Sequence, residues 1–238
     1  MTSQSFAHLA ELVERRLTGT RPHLVGIAGA VAAGKTTVAE GLAEQLKVDG
    51  RKVDIITTDA FLRSNAELDE LGLTFRKGFP ESFHLEELIR VLADINAGAE
   101  HVEVPVYSHL TYDLVPGART SIDHPDLVIV EGIVGLRSEV AELLDVRVYI
   151  DASELDIRLW FANRFLQMTQ AARHDEASFY REFVEVSDEE LVSLAEATWD
   201  GINGVNLREN ILPTRERADI IVEKARDHSI KSIRERAG

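Results

Sequence analysis

The sequence of 238 residues contains no cysteine. This absence excludes disulfide bonds, thiolate zinc sites and a cysteine nucleophile. It is typical of a reducing compartment, and we therefore expect a cytoplasmic protein.

Long apolar runs are also lacking. The longest mostly apolar stretch, Val25–Ala33, is glycine-rich and far shorter than the roughly 20 residues that a membrane-spanning helix needs. The first 20 residues include a charged cluster, Glu14, Arg15 and Arg16, and no apolar segment of the kind found in signal peptides. We expect neither a membrane span nor a secretory signal.

Positive charge is scarce. The chain has 26 Lys and Arg against 41 Asp and Glu, a net charge of −15. Nucleic acids and anionic membranes both require a positive surface, so we expect neither as a partner. The 45% hydrophobic and 28% charged residues are ordinary for a globular protein. Because no repeat, low-complexity stretch or linker divides the chain, we expect a single domain over residues 1–238.

Short aliphatic blocks alternate with helical patterns along the chain. Each block is solidly apolar rather than alternating, as expected for strands buried on both faces. This order predicts an α/β fold with a parallel sheet and helices on both faces. The predicted strands are Leu24–Ala28, Val53–Thr57, Leu127–Val130, Val146–Ile150 and Ile220–Val222.

Helices are predicted from apolar residues at helical spacing. A short amphipathic helix is expected within residues 1–22, and Ser153 with Asp156, like Ser187 with Glu190, is typical of a helix start. Segments 63–80 and 107–123 are predicted as irregular excursions that carry the substrate site. The stripes are Phe6, Leu9, Leu12, Val13 and Leu17; Val38, Leu42 and Leu46; Leu85, Leu88, Ile89, Leu92 and Ile95; and Leu155, Leu159, Ala162 and Leu166.

One motif carries specific chemistry. The run from Gly29 to Thr36 fits the phosphate-binding loop G-x-x-x-x-G-K-[ST] between a predicted strand and a predicted helix. Its backbone N–H groups and the helix N-terminus attract phosphates, the lysine reaches the outer phosphates, and the Thr36 hydroxyl can ligate Mg²⁺. The predicted nucleotide-binding residues are Gly29, Ala30, Val31, Ala32, Ala33, Gly34, Lys35, Thr36 and Thr37.

Two carboxylates lie at the carboxyl ends of predicted strands. Asp59 follows the second strand, where it suits proton acceptance from a substrate hydroxyl or, equally, the capping of a loop. Glu131 ends the third strand at a position suited to holding magnesium, the alternative being a solvated strand end.

Further candidates are polar groups near the excursions. His109 is a candidate ligand residue within a run rich in Tyr and Asp, although a lone loop histidine is often structural. Arg164 can clamp phosphate or carboxylate, or extend along the surface as a solvated cation. Arg208, Arg215 and Arg217 suit either nucleotide contacts or ion pairs.

Six segments occur together in order and are similar to those of one family. They strongly resemble the prokaryotic type I pantothenate kinases, from about Leu24 to near the C-terminus. The segments are Val25–Thr37, Thr57–Phe61, Arg76–Ser82, Pro105–Leu110, Asn163–Phe165 and Asn210–Ala218.

The resemblance implies a P-loop kinase fold, a three-layer sandwich with a mostly parallel sheet flanked by helices. It implies ATP- and Mg²⁺-dependent phosphorylation of pantothenate on its primary hydroxyl, a homodimer, and feedback inhibition by coenzyme A. By position, the resemblance implies that Lys35, Asp59 and Arg164 are catalytic, with Asp59 as the base. It implies that Thr36 and Glu131 bind the metal ion. The pantothenate pocket is lined by Asp59, Tyr107, His109, Tyr112, Arg164 and Asn206.

Several positions depart from the family pattern. Glu40 stands where an arginine that contacts coenzyme A is expected, and its negative charge would repel the inhibitor's phosphates. Phe161 and Val134 replace an expected tyrosine and asparagine, which keeps another small alcohol, such as a nucleoside, open as the substrate. A nucleotide-binding switch without metabolic turnover is the alternative of a different class, although the guanine-selecting motif Asn-Lys-x-Asp is absent.

Overall fold

Consecutive buried residues form the centre of the main sheet. All five residues of Leu127–Glu131 are buried, and so are six of the seven in His23–Gly29. Because successive side chains of a strand point to opposite faces, both faces of the sheet are covered.

The computed structural model describes residues 3–19, 21–47 and 50–236. Its strands are β1 (His23–Gly29), β2 (Val53–Thr57), β3 (His101–Ser108), β4 (Asp113–Asp123), β5 (Leu127–Glu131), β6 (Val146–Asp151), β7 (Ile220–Lys224) and β8 (Ile230–Glu235).

Six of these strands form the main sheet in the order β2-β5-β1-β6-β7-β8. All neighbouring pairs are parallel except β7 and β8. The five predicted strands are confirmed, as is the mostly parallel sheet with flanking helices. The antiparallel edge strand β8 is an addition that the apolar blocks do not predict.

The predicted helices are present. The expected N-terminal helix is α1, although Met1, Thr2 and Thr20 lie outside the described residues. The α-helices of the described chain are α1 (Ser3–Glu14), α2 (Lys35–Leu46), α3 (Asn65–Glu70), α4 (Leu85–Asn96), α5 (Ser138–Ala141), α6 (Glu154–Ala172), α7 (Asp188–Thr198) and α8 (Gly204–Asn206). Short 3₁₀ turns cover Thr58–Phe61, Thr74–Arg76, Pro80–Ser82, Phe179–Phe183 and Leu212–Arg217, and π-helical segments cover Trp199–Asn203 and Leu207–Ile211.

Both predicted helix starts have the expected caps. The Ser153 hydroxyl accepts a hydrogen bond from the backbone N–H of Asp156 at the start of α6. At the start of α7, Ser187 and Glu190 form a complete capping box, in which each side chain accepts from the other residue's backbone N–H.

The predicted apolar stripe of α6 is only partly correct, because Ala162 is buried and Leu166 half-buried but the two leucines nearer the start of the helix are not. Leu155 is 70% exposed and Leu159 lies at the surface, whereas Ile157 and Trp160 are buried. The helix itself carries apolar residues on several of its faces. Helical spacing alone therefore does not identify which face is buried. The Trp160 ring stacks on His228 at 4.1 Å, a contact between segments distant in sequence.

The two predicted excursions differ in regularity. Segment 63–80 holds α3 and short turns, but segment 107–123, predicted as irregular, is mostly an antiparallel hairpin of β3 and β4. Pro105 pairs with Arg119 at the edge of a bulge, where residues 115–118 face the single residue 106. Proline is tolerated at such bulges because the ladder is already interrupted there.

No helix within residues 3–19, 21–47 and 50–236 combines the length and apolarity needed to cross a membrane.

We predict that Ile157→Ala lowers the free energy of unfolding by about 2–4 kcal/mol, because Ile157 is 4% exposed and its truncation leaves a cavity. The matched control on the same helix is Leu155→Ala, whose effect should stay within about 0.5 kcal/mol. Urea denaturation of both variants measures the difference. Equal losses in the two variants would contradict the burial of Ile157 and the exposure of Leu155.

Candidate active site

The carboxyl ends of three parallel strands meet at one edge of the sheet. In the register of the sheet, Glu131 on β5 is paired with Ile27 on β1 and with Thr57 on β2. The loop after β1, the turn after β2 and the end of β5 are therefore neighbours. This is the edge at which ligands bind in open α/β sheets.

The loop after β1 has a backbone shape suited to phosphate. Ala32 and Gly34 have positive φ angles of 61° and 83°. A side chain at Gly29 would place its Cβ 2.6 Å from the Ile150 carbonyl oxygen, so the loop passes too close to β6 for another residue there. Helix α2 begins directly after Gly34, and no side chain caps its N-terminus. The first N–H groups of α2 and its positive dipole end are thus available to an anion.

Lys35 points back across this loop. Its Nζ donates a hydrogen bond to the Ala30 carbonyl at 2.9 Å. Burial lowers the pKa of Lys35, while the charges of Glu131 and Asp59 oppose this shift and that of Arg164 adds to it. The ammonium group therefore lies within the field of all three charged side chains.

Glu131 is buried, at 5% exposure, so the alternative of a solvated strand end is wrong. The Thr36 hydroxyl donates to its Oε1 at 3.1 Å. Burial raises the pKa of Glu131, and the positive charge of Lys35 counteracts that rise. A buried carboxylate beside a hydroxyl and an amine is typical of a phosphoryl-transfer site.

Close packing behind the carboxylates fixes their separation. A Cβ on Gly132 would lie 1.8 Å from the Thr58 hydroxyl oxygen and 2.7 Å from the Thr58 Cβ. Thr58 is fully buried and is followed by Asp59, while Gly132 follows Glu131. The absence of a side chain at Gly132 therefore sets how closely the two carboxylate-bearing segments approach.

One pocket brings the candidate residues together. Of the loop residues, Val31, Ala32, Lys35 and Thr36 line it. The other sequence-predicted residues that line it are Asp59, Tyr107, His109, Tyr112, Glu131, Arg164 and Asn206. The structure thus gathers the predicted catalytic, metal and substrate residues, which lie up to 171 positions apart in the chain, on one surface.

Three side chains of the β3–β4 hairpin form an aromatic wall. The Tyr107 ring meets the His109 ring edge-on at 5.2 Å and the Tyr112 ring at 6.3 Å. Burial raises the pKa of both tyrosines and lowers the pKa of His109. At neutral pH this wall consists of uncharged groups that can donate or accept hydrogen bonds.

Asn206 and Arg164 contribute differently from each other. The Asn206 Nδ2 donates to the Gly78 carbonyl at 2.8 Å, and its Oδ1 accepts from Asn210 at 3.0 Å. Asn206 thus joins α8 to Gly78, which lies just before the 3₁₀ turn Pro80–Ser82. Arg164 projects from α6 at the exposed rim, and its charge acts on Lys35.

Two of the three arginines predicted near the last strands form ion pairs, whereas Arg217 forms none with the described residues. The Arg215 Nε donates to Asp151 at 2.9 Å, and Arg208 pairs with Glu154. Of the two sequence alternatives for these residues, the structure supports ion pairing for both.

Several residues that line the pocket have no site role predicted from the sequence. They include Leu62, Lys77, Ile133, Phe165, Tyr180 and Asn203. Lys77 lies in the Arg76–Ser82 segment, which is a usable signal, whereas Tyr180 has no periodic or motif context.

Phe161 also lines the pocket, and its ring packs 6.2 Å from that of Trp199. Val134 is instead buried in the core, and Glu40 is exposed on α2.

A mostly parallel sheet, a phosphate loop opening a helix, and paired strand-end carboxylates define a P-loop kinase. Comparison with known proteins supports this class. The model of the phosphoribulokinase / uridine kinase family matches residues 24–166. The D-glycerate 3-kinase from Cryptococcus neoformans var. grubii shares the fold, with a TM-score of 0.64 at 13% identity over 98% of each chain.

Closer relatives identify the particular family. The chain is 44% identical to a pantothenate kinase from Parvibaculum lavamentivorans, over 89% of this chain and 69% of that protein. It is also 44% identical to a pantothenate kinase from Myxococcus xanthus, over 90% and 71% of the two chains. The chain belongs to the pantothenate kinase family.

We predict that Gly132→Ala lowers the free energy of unfolding by about 1–3 kcal/mol, because the added methyl group overlaps buried Thr58. It should also weaken ATP binding, since the clash separates Asp59 from Glu131. Thermal unfolding and calorimetric titration with ATP measure the two effects.

The matched control is Gly201→Ala, since no heavy atom lies within 4 Å of the added methyl group. Its stability should be unchanged or slightly raised. A Gly132→Ala variant that behaves like this control would contradict the packing argument.

Proposed function

We propose that the protein transfers the γ-phosphoryl group of ATP to the primary hydroxyl of pantothenate, forming 4′-phosphopantothenate on the route to coenzyme A. The observation that carries this proposal is the single pocket in which the phosphate loop, Asp59 and the Tyr107–Tyr112 wall face one another. The pantothenate kinase relatives supply the substrate. We also propose that residues 1–238 act as one kinase domain.

The proposed reaction is an in-line displacement. The substrate hydroxyl oxygen forms a bond to the γ-phosphorus, the bond to the β–γ bridging oxygen breaks, and ADP leaves. Asp59 orients the hydroxyl and accepts its proton. Lys35 and Arg164 offset the charge that spreads over the transferred oxygens, so most of the catalysis is positioning and electrostatic stabilisation.

Magnesium fits the donor set at the end of β5. Within the described part of the chain, no cluster of three or more His, Asp or Glu side chains could hold a metal by itself. Mg²⁺ in phosphoryl-transfer sites takes one or two protein oxygens and completes its shell with phosphate oxygens and waters. Thr36 Oγ1 and Glu131 Oε1, which lie 3.1 Å apart, provide such oxygens. When bound, the ion would neutralise phosphate charge.

The aromatic wall carries polar groups that match those of pantothenate, which has a carboxylate, hydroxyls and an amide. These groups can pair with the side chains of Tyr107, His109 and Tyr112. The second hydrogen of the Asn206 Nδ2 amide can also donate to them. The rim position of Arg164 suits an anionic group of the substrate or of ATP.

Family membership also supports proposals about assembly and regulation. We propose a cytoplasmic homodimer that is subject to feedback inhibition by coenzyme A. Glu40 lies exposed on α2, close in sequence to the phosphate loop, and would weaken binding of the inhibitor's phosphates by charge repulsion.

A substrate panel tests the proposed function. The protein is incubated with Mg-ATP and pantothenate, pantetheine or nucleosides, and products are followed by mass. We expect a gain of one phosphoryl group on pantothenate. Phosphorylation of a nucleoside alone would favour the kinase of another small alcohol, which Phe161 in the pocket keeps as a candidate. ATP hydrolysis without acceptor phosphorylation would favour a nucleotide switch.

We predict that Asp59→Asn reduces kcat by about 10²–10⁴-fold, because the amide cannot accept the hydroxyl proton. The affinity for ATP should remain within a few-fold, since Lys35 and the loop backbone are unchanged. A coupled ADP assay and calorimetry measure the two quantities. Asp94→Asn, on the exposed face of α4, is the matched control. Full activity of Asp59→Asn would remove this residue from the role of base.

A further inference from the structure

Lys77 is a charged residue of the pocket to which the proposed mechanism assigns no role. It follows the 3₁₀ turn Thr74–Arg76 and lines both the catalytic pocket and a neighbouring apolar groove, whose wall includes Leu68, Phe75 and Phe183. Its side chain therefore lies at the boundary between the two cavities.

The Lys77 ammonium group joins two other segments. Its Nζ donates to Asn65 Oδ1 at 2.6 Å, at the start of α3, and to the carbonyl oxygen of Tyr112, between β3 and β4. The same Nζ lies 4.3 Å from the centre of the Tyr112 ring and 5.3 Å from that of Tyr107. A cation at these distances is attracted to the ring faces.

Tyr112 adopts a conformation that needs such support. Its φ angle is +54°, a left-handed geometry that an aromatic residue rarely adopts. Its carbonyl oxygen accepts from both Lys77 and the Asn65 Nδ2, the latter at 3.2 Å. The Asn65 N–H in turn donates to Asp113 at 3.0 Å, which ties α3 to the same turn.

The charges around Lys77 define when its ammonium group is present. Burial lowers the pKa of Lys77 to about 8, and the carboxylates of Asp113 and Asp59 oppose this shift. Tyr107 and Tyr112, whose rings face the ammonium group, have raised pKa values and stay neutral. Because the folded pKa lies below the ordinary lysine value, the charge is present below about pH 8 and is lost as the pH rises through it.

We propose that Lys77 is a positioning residue that sets the specificity of the alcohol site: its ammonium group holds the Tyr112 turn and the two tyrosine rings in the arrangement that receives the acceptor substrate. This proposal rests on the proposed function, since it concerns the acceptor alcohol of that reaction. Lys77 acts on KM for pantothenate and not on the affinity for ATP, because its hydrogen bonds run to Asn65 and Tyr112.

The first test uses the unmodified protein. At saturating ATP, KM for pantothenate should rise as the pH increases from 7 to 9.5, with a midpoint near 8, while KM for ATP is measured in parallel. The carboxylate of pantothenate does not titrate in this range, and the pKa of His109 lies below it. A KM for pantothenate that is constant from pH 7 to 9.5 would overturn the proposal without any variant.

Variants separate positioning from simple packing. Lys77→Met keeps the aliphatic volume and should raise KM for pantothenate about tenfold at pH 7, with kcat within a few-fold. Lys77→Arg keeps its charge at all these pH values, so the alkaline rise in KM should disappear. Lys231→Met, an exposed lysine on β8, is the matched control and should leave both KM values unchanged.

The outcomes distinguish the two proposals. Absence of any phosphorylated acceptor with the unmodified protein refutes the proposed function, and the role of Lys77 with it. Phosphorylation of pantothenate with no change of KM in Lys77→Met, at unchanged melting temperature, refutes only the role of Lys77. If Lys77→Met fails to fold, the pH dependence of the unmodified protein decides.

Discussion

The parallel register of β2, β5 and β1 is the constraint on which the site depends. Pairing of Glu131 with both Ile27 and Thr57 brings three strand ends level at one edge. A shift of one residue would turn every strand side chain to the opposite face, so burial on both faces holds this register firmly. The phosphate loop, Asp59 and Glu131 are neighbours because this register places their three strand ends side by side.

Features with local causes were predictable from the sequence. The strands are apolar blocks, the caps at Ser153 and Ser187 follow short-range patterns, and the phosphate loop is a contiguous motif. The carboxylates followed from topology, because carboxyl ends of parallel strands share an edge. Most of the candidate pocket could therefore be identified before its geometry was known.

Features with long-range causes were not predictable. Which side of α6 is buried depends on α7, His228 and the pocket, and the helix presents apolar residues to all of them. The hairpin of β3 and β4 was not predicted because most of β4 is exposed and offers no apolar block. A bulge after Pro105 also interrupts the pairing of the two strands. Likewise, Lys77 acquires its contacts from α3 and the hairpin turn, two segments that no local pattern connects to it.

Local organisation also explains how a chain with a net charge of −15 can bind anions. Lys35, Lys77 and Arg164 line one pocket together with two carboxylates, Asp59 and Glu131. Burial lowers the pKa of Lys35 and of Lys77, which means that desolvation disfavours their charged forms. A nearby negative charge on a ligand would offset this effect. In the proposed reaction, the phosphates of ATP would supply that charge beside Lys35 and raise its pKa again. The overall acidity thus repels polyanions, while the desolvated cations of the pocket remain suited to a small anionic ligand that fits between them.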